Sequence, residues 1–328
     1  MYQLVAIGDP IFDTHVQIAD ESAECHTTAD HKTHLCLDYG AKIPIIDSFQ
    51  SLGGNAPNVA IGGSKLGMST ALVSTVGDDA NGHMAIEAFA THDVNTDAVT
   101  FSKKARTRYS IILNYKAERT ILSFSEKKSY VWPKPFPETE WVYYTGLSEG
   151  YETMQDKLFD HLKKHPTIRL AINPGSYMLK YALDALRSSV SRADILIVNK
   201  EEAEQIVMQP QKKAKSIEAL LHNLLSLGAH EVVLTDGPNG SYAGTSDELW
   251  YLPAYPVPVV AKTGAGDAFS SAYLTARYHG HDIPHALEWG TANSSGVIGA
   301  HGPHAGLLDK KGVEKMIQKF KTVQPKQL

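Results

Sequence analysis

The chain has 328 residues, of which 43% are hydrophobic and 20% charged, and its formal net charge is −5. This composition is typical of a soluble protein with one large α/β domain or two smaller ones. It has no long basic run to suggest a nucleic-acid partner and no apolar run of the roughly 18 residues that a membrane span needs. The N-terminus lacks a signal-peptide pattern, and Cys25 and Cys36 alone make no disulfide framework. We therefore expect a reducing, cytoplasmic location.

Short apolar runs alternate with helical patterns along most of the chain. The first half contains predicted strands at 3–8 and 70–77 and predicted helices at 56–67 and 81–92. In the second half, helices separate further strands predicted at 141–146, 168–173, 193–199 and 230–237, and the last long helices begin near 264 and 283. This alternation predicts a parallel sheet covered by helices on both faces.

Two segments, 15–48 and 106–125, interrupt this alternation. Each contains strand-like runs with no helix between them. Together they predict a small antiparallel sheet that projects from the main body.

The stretch KTGAGD (262–267) precedes an apolar helical pattern. Gly264 and Gly266 allow backbone amides to turn towards one point, Ala265 is too small to block access, and the helix N-terminus adds positive potential. Such a site suits a phosphate. Asp267 is either an acid that stabilises the helix start or a base that takes the proton of a hydroxyl attacking phosphorus, and the spacing leaves both open.

A second glycine-rich stretch, GGNAPN (53–58), precedes an earlier helix. Gly53 and Gly54 let the backbone approach a ligand closely, and Asn55 and Asn58 offer donors and acceptors suited to sugar hydroxyls. A glycine turn with an asparagine cap explains the same residues. The order of a P-loop motif is absent.

Five stretches in order carry a resemblance: GGNAPNVA, VSTVGDDANG, VNKEEAE, LTDGPNGSYA and KTGAGDAF. The chain resembles the ribokinase family, the PfkB-type sugar and nucleoside kinases, over nearly its whole length. The resemblance implies a ribokinase-like αβα sandwich with a mostly parallel central sheet and a small β-sheet lid. It also implies transfer of the ATP γ-phosphate, with Mg²⁺, to a substrate hydroxyl. The αβα domain would comprise 1–14, 49–105 and 126–328, and the lid 15–48 and 106–125.

The resemblance also implies roles for individual residues. Asp267 matches the catalytic base, and the backbone of Gly264, Ala265 and Gly266 matches the anion hole. The remaining matches are Asp13, Gly54, Asn55 and Asn58 for the substrate, Asn199, Thr235 and Gly237 for the nucleotide, and Glu202 for Mg²⁺ through water. Without the resemblance, Asn199 and Glu202 form a capping-box pattern, which remains open as a second role.

Three positions depart from the family pattern. Ala261 and Lys262 replace the usual Asp-Thr pair, so we expect weak or absent potassium activation, with Lys262 either supplying the missing positive charge or lying in solvent. Asn55 stands where several sugar kinases have lysine, which alters the substrate hydrogen bonds without adding charge. The stretch 172–179 lacks an arginine that some relatives carry, which favours a neutral acceptor over a phosphosugar or sugar acid.

Several other groups are weaker candidates. Cys25, His26, His31, His34 and Cys36 are metal-ligating types without a C-x-x-C pair, and we interpret them as lid groups rather than a metal site. His301 and His304 either lie beside the adenine and cation sites, which this loop borders in the family, or are loop histidines with no ligand role. Tyr39, Tyr109 and Tyr115 either stack on a nucleobase or pack within the lid.

The sequence thus predicts an ATP-dependent kinase of a neutral sugar such as fructose or ribose. An adenosine-type nucleoside kinase is the alternative, and a catalytically silent sugar-binding protein is a third interpretation. Because an antiparallel lid with free edges is prone to pairing, we also expect a homodimer formed through the lid.

Overall fold

The structure is a computed structural model that describes residues 1–28, 33–116, 118–207, 216–300 and 302–328. Its strands are β1 (Tyr2–Ile7), β2 (Ile11–Ile18), β3 (Glu24–Thr27), β4 (Thr33–Cys36), β5 (Ile45–Gly53), β6 (Thr70–Gly77), β7 (Val94–Asn95), β8 (Val99–Ser102), β9 (Arg108–Tyr115), β10 (Glu118–Phe124), β11 (Thr139–Thr145), β12 (Arg169–Asn173), β13 (Ile195–Asn199), β14 (Glu231–Thr235), β15 (Ser241–Gly244), β16 (Leu249–Leu252) and β17 (Lys326–Gln327). Its α-helices are α1 (Asn55–Lys65), α2 (Ala80–Ala90), α3 (Glu152–Lys164), α4 (Ser176–Tyr181), α5 (Leu183–Val190), α6 (Lys200–Val207), α7 (Ile217–Leu225), α8 (Ala265–Tyr278), α9 (Ile283–Ile298) and α10 (Lys310–Lys319).

An eleven-stranded sheet forms the centre of the body. Strands β14, β13, β12, β11, β1 and β6 run parallel in that spatial order, and β15, β16 and β17 extend one side antiparallel. Apolar residues from α1, α8 and α9 pack on one face, and residues from α3, α5, α6 and α7 pack on the other. The sheet is therefore buried on both sides: β6 is buried along its whole length, and Leu4–Ile7 of β1 form a continuous apolar run. This confirms the predicted ribokinase-like α/β class.

A separate four-stranded sheet, in the order β10-β9-β2-β5, forms the lid. Its outer pairs are antiparallel, but β2 and β9 run parallel, which differs from the expected all-antiparallel sheet. The reason is the route of the chain. Strands β1 and β8 are both parallel to β6, so β2 and β9 leave the body at the same edge and enter the lid in the same direction. The lid strands start at Ile11 and end at Gly53, beyond the limits of the 15–48 segment.

Two other differences concern the body. The helical pattern over 179–190 is split between α4 and α5 at Ala182. The strands β15 to β17, which the sequence patterns do not predict, lie after the loop at 236–240. In the described ranges no helix is both long and apolar enough to cross a membrane.

Candidate active site

The N-terminus of α8 presents free backbone amides. Gly264 adopts a left-handed conformation with φ of 80°, and a Cβ added there would lie 2.6 Å from Cβ of Pro303. Gly266 faces open space, and a Cβ added there would meet nothing within 4 Å. Within the described residues the amides of Gly264, Gly266 and Asp267 have no hydrogen-bond acceptor, and the Ala265 amide reaches only the Lys262 carbonyl at 3.5 Å. This helix start can therefore accept an anion.

Asp267 lies in the first turn of α8, mostly enclosed but with part of its surface open. Its Oδ2 accepts a hydrogen bond from Nδ2 of Asn58 at 2.7 Å. Burial raises the pKa of Asp267 to about 6, and the Asn58 hydrogen bond opposes this shift. The carboxylate can therefore accept a proton near neutral pH.

The amide of Asn58 has a second partner. Its Oδ1 lies 2.8 Å from Nε2 of His304, which belongs to the loop after α9. Burial, followed by the neighbouring His92, lowers the pKa of His304 to about 4. The sequence leaves His304 either beside the adenine and cation sites or without a ligand role, and the structure links it to Asp267 through Asn58.

The start of α1 packs closely against the junction of β1 and β2. Gly54 has φ of 103°, and a Cβ there would lie 2.5 Å from the Asp9 carbonyl oxygen. A Cβ on Gly53 would lie 2.5 Å from Oδ2 of Asp13, so the Asp13 carboxylate touches this turn. Asn55 donates from Nδ2 to Oδ1 of Asn173 at 2.8 Å, which ties its amide to the end of β12. These contacts bring the Asp13 carboxylate against the turn before α1 and tie the first residue of α1 to the end of β12.

Two arginines of the lid, Arg108 and Arg119, lie near Asp13. Burial raises the pKa of Asp13 to about 6, against the opposing effects of the Ser110 hydrogen bond and of Arg108 and Arg119. Asp13 pairs with Ser110 in the register of β2 and β9, and Arg108 stands two residues before Ser110 on the same face. Arg108 donates from Nη1 to the Gly146 carbonyl at 3.0 Å, while its buried Nε has no partner among the described residues.

Arg119 connects the lid to the loop before α8. Its Nη1 donates to Oγ1 of Thr263, the residue that precedes Gly264. Beside this contact, the lid and the loop enclose a cavity of about 640 Å³, whose lining includes His15, Phe49, Asn114, Arg119, Ala261 and Lys262. The lid is thus closed onto the loop that leads into the free amides.

Glu202 and Asn199 form a reciprocal capping box at the start of α6. The Glu202 amide donates to Oδ1 of Asn199, and the Asn199 amide donates to Oε2 of Glu202, both at 2.9 Å. Burial raises the pKa of Glu202 to about 7, against the Asn199 hydrogen bond, and the charge of Asp267 raises it further. Two partly enclosed carboxylates with raised pKa values fit a hard cation with oxygen ligands, so these residues suit Mg²⁺.

The remaining predicted nucleotide residues lie at the carboxyl ends of two neighbouring parallel strands. Thr235 ends β14 and pairs in register with Asn199 at the end of β13. Gly237 follows with φ of 51° and open space around it. Ligands of open α/β sheets bind at such strand ends.

Comparison with known proteins places the chain in a family. Residues 44–310 match the pfkB family carbohydrate kinase domain. The chain belongs to the pfkB family of carbohydrate kinases. It is 26% identical over 242 residues to a probable fructokinase-5 of Arabidopsis thaliana, covering 68% of this chain and 72% of that one. It is also 26% identical over 284 residues to a 5-dehydro-2-deoxygluconokinase of Bacillus licheniformis, covering 81% and 86%.

The fold agrees with this assignment. A solved structure of Arabidopsis thaliana ribokinase, complexed with ribose and ATP, superimposes with a TM-score of 0.79 at 21% identity, covering 97% of this chain and 99% of that one. The family match includes the segments that form α1, α6 and α8.

Other residues singled out in the sequence lie away from this pfkB-type site or pack within the lid. Cys25 and Cys36 are exposed thiols on the β3–β4 hairpin, and no group of three metal-ligating side chains gathers anywhere in the described part of the chain. His31 and His301 lie outside the described residues. Tyr39 is exposed, Tyr109 stacks on Phe124, and the Tyr115 hydroxyl donates to the Ala23 carbonyl, so Tyr109 and Tyr115 pack within the lid.

Proposed function

We propose that this carbohydrate kinase transfers the γ-phosphate of ATP to a hydroxyl group of a sugar, with Asp267 as the general base. One observation carries the proposal: the Asp267 carboxylate, with a pKa of about 6, stands in the same helical turn as amides that have no acceptor among the described residues. A base and an anion site in one turn are what phosphoryl transfer to an alcohol needs.

The acceptor hydroxyl would give its proton to Oδ1 of Asp267, because Oδ2 is already held by Asn58. The acceptor oxygen then bonds to the γ-phosphorus as the bond to the leaving ADP oxygen breaks. The backbone of Gly264, Ala265 and Gly266 would stabilise the charge on the transferred group. Mg²⁺, held by Glu202 through water, would offset negative charge on the phosphates.

Asn199, Thr235 and Gly237 would border the nucleotide, since they lie at the ends of β13 and β14 and leave open space beside them. Asp13, Gly54 and Asn58 would contact the acceptor. Asn55 would contribute through Oδ1, because its Nδ2 is engaged with Asn173.

A neutral sugar of the fructose or ribose type is the first candidate acceptor. It is supported by the neutral asparagines of α1 and by the name of the probable fructokinase relative. A sugar acid is the second candidate, because Arg119, which lines the cavity, supplies from the lid the positive charge that residues 172–179 lack. The 5-dehydro-2-deoxygluconokinase relative is consistent with this second candidate.

The test is an ADP-release assay with fructose, ribose, a sugar acid and adenosine as acceptors, using the wild type and Asp267→Asn. We expect one of the sugars to be turned over, and Asp267→Asn to lower kcat by about 10³-fold with ATP binding retained, since it removes the base but keeps the amide contact. Turnover of adenosine alone would favour the nucleoside-kinase alternative. Tight sugar binding without any turnover by the wild type would favour the silent binding protein.

We also propose that two copies pair through the lids. The lid face that points away from the 640 Å³ cavity exposes Ile45, Ile111 and Leu122, and in the described structure the edge strands β5 and β10 each pair with a strand on one side only. A second copy of the same surface would bury these groups. Light scattering should give a dimer for the wild type and a monomer for a Leu122→Asp variant, and a monomeric wild type at high concentration would overturn the proposal.

A further inference from the structure

Three side chains from three separate elements form one hydrogen-bonded chain that ends on the proposed base. Asn58 of α1 donates from Nδ2 to Oδ2 of Asp267 at 2.7 Å, and its Oδ1 lies 2.8 Å from Nε2 of His304. Asn58 is only 5% exposed, so water is a poor replacement for either partner.

The direction of each hydrogen bond follows from the chemistry of the groups. An ionised carboxylate only accepts, so Asn58 must point its amide nitrogen at Asp267. The amide oxygen then faces His304, and Nε2 of His304 must carry a proton to donate to it. Rotating the Asn58 amide by 180° would instead set its oxygen against the carboxylate oxygen and leave Nε2 without an acceptor. A donor at position 304 therefore selects the amide orientation that supports Asp267.

The groups around this hydrogen-bonded chain of side chains are consistent with His304 remaining a neutral hydrogen-bond donor. Burial lowers the pKa of His304 to about 4, so the ring stays neutral at ordinary assay pH. Among the residues that the structure describes, the titratable groups near it are His92, whose ring centroid is 5.3 Å away, and Lys65 beside His92. On the other side, Glu202 and Tyr143 face Asp267. His304 thus keeps one protonation state and does not relay the substrate proton.

We infer that His304 is a positioning residue for phosphoryl transfer: it orients the Asn58 amide, which holds Oδ2 of Asp267 and leaves Oδ1 directed at the acceptor hydroxyl. The inference rests on the proposed function, since it assigns His304 to the support of that base. It goes further because it gives a role to a loop residue that touches neither the acceptor nor the phosphates.

The kinetic test compares His304→Leu, which removes the donor at similar size, with His304→Gln, which restores an amide donor. For His304→Leu we expect kcat to fall at least about 10-fold while KM for ATP stays within about 2-fold. Because the ionised Asp267 would lose its donor, its pKa should rise, and the acidic limb of kcat/KM should move to higher pH by at least about half a unit. His304→Gln should recover most of both effects.

His92→Leu is the matched control, because it removes a neighbouring ring that contacts His304 but gives Asn58 no hydrogen bond. Its kcat and pH profile should stay within about 2-fold and 0.2 unit of the wild type. If His92→Leu reproduces the effects of His304→Leu, general loosening of the loop explains them and the inference is overturned.

A spectroscopic readout separates this inference from the proposed function. In ¹⁵N-histidine NMR spectra, assigned by the loss of a signal in His304→Leu, His304 should be neutral with its proton on Nε2 from about pH 5.5 to 8. A proton on Nδ1, or a cationic ring, would overturn the inference even if Asp267→Asn is inactive. A fully active Asp267→Asn enzyme would instead overturn the proposed function, and the catalytic role of His304 with it, whatever tautomer the spectrum shows.

Discussion

The two sides of the cleft differ in how they are held. On the body side, Asp267 and Glu202 each have one carboxylate oxygen fixed by a hydrogen bond from a neighbouring element or helix start. On the lid side, the sheet is one layer thick and exposes Ile121 and Leu122 by about half. Within the described residues, β10 of the lid is joined to the loop before α8 by the side-chain hydrogen bond of Arg119 to Thr263. Body groups are thus preorganised, whereas lid groups depend on closure.

The two sides also differ in charge. The body side contributes Asp267 and Glu202, whose pKa values are raised by burial, whereas the lid side combines the Asp13 carboxylate with Arg108 and Arg119. Arg119 is the lid cation that contacts the loop before α8. Under the proposed function, the body would perform the chemistry and the lid would select and retain the acceptor.

The largest combined effect on stability and activity should come from distorting the preorganised helix start. Gly264→Ala forces a side chain into a left-handed backbone conformation and against Pro303, so we expect a stability loss of about 1–3 kcal/mol and a fall in kcat of about 100-fold or more. Gly266→Ala has open space and should keep wild-type stability, yet its methyl group would crowd the phosphoryl group and lower kcat. Thermal unfolding and steady-state kinetics of both variants test this, and wild-type kinetics in Gly264→Ala would contradict a preorganised anion site.

The next effect is on the free energy of unfolding, which the buried Asp267 carboxylate lowers when it is ionised. The pKa of Asp267 is raised from 3.8 to about 6, so its contribution to stability is complete below pH 3.8 and is lost as the pH rises through 6. Asp267→Asn removes an enclosed charge and should stabilise the ligand-free protein by about 1–2 kcal/mol at pH 8, with the gain shrinking towards pH 4. Urea unfolding at both pH values measures it. A variant that is less stable than the wild type at pH 8 would show that the charge is already compensated.

The body was largely predictable from the sequence because its local signals agree with its tertiary structure. Buried parallel strands are mostly apolar runs. Gly53 and Gly54 mark a helix start that packs closely against its neighbours, and Gly264 and Gly266 mark one where the backbone lies against Pro303 or faces open space. The strands β15 to β17 were missed because each has four residues or fewer, which is too short for a clear alternating pattern. The break at Ala182 was missed because the helical pattern continues across it.

The site was less predictable where it depends on long-range contacts. His304 joins Asn58 across 246 residues, and Arg119 joins Thr263 across 144, so no local pattern marks either pair. The parallel pairing of β2 and β9 likewise depends on where each strand leaves the body. By contrast, the capping box of Asn199 and Glu202 was visible from spacing alone, because both of its hydrogen bonds are local.

On the lid side, effects should be moderate and should appear in acceptor binding. Arg119→Ala removes the contact with Thr263, so we expect KM for the sugar to rise about 3- to 10-fold with a smaller change in kcat. Lys116→Ala is the matched control, since Lys116 lines the same cavity but lies over the ring of Tyr115. Equal kinetics for the two variants would show that general charge, rather than closure, sets acceptor affinity.

The smallest effect should be that of monovalent cations. Ala261 and Lys262 line the cavity beside the anion site, and this Ala-Lys pair offers no carboxylate to hold potassium. Exchanging sodium, potassium and a bulky organic cation should therefore change kcat by less than about 2-fold, because the positive potential at the helix start comes from fixed amides and nearby cationic side chains. Ala261→Asp should create potassium stimulation by adding an acceptor-only group at this point. A large potassium-specific stimulation of the wild type would mean that carbonyl oxygens of the loop suffice to bind the ion. The anion site of the body would then depend on a bound ion rather than on preorganised groups alone.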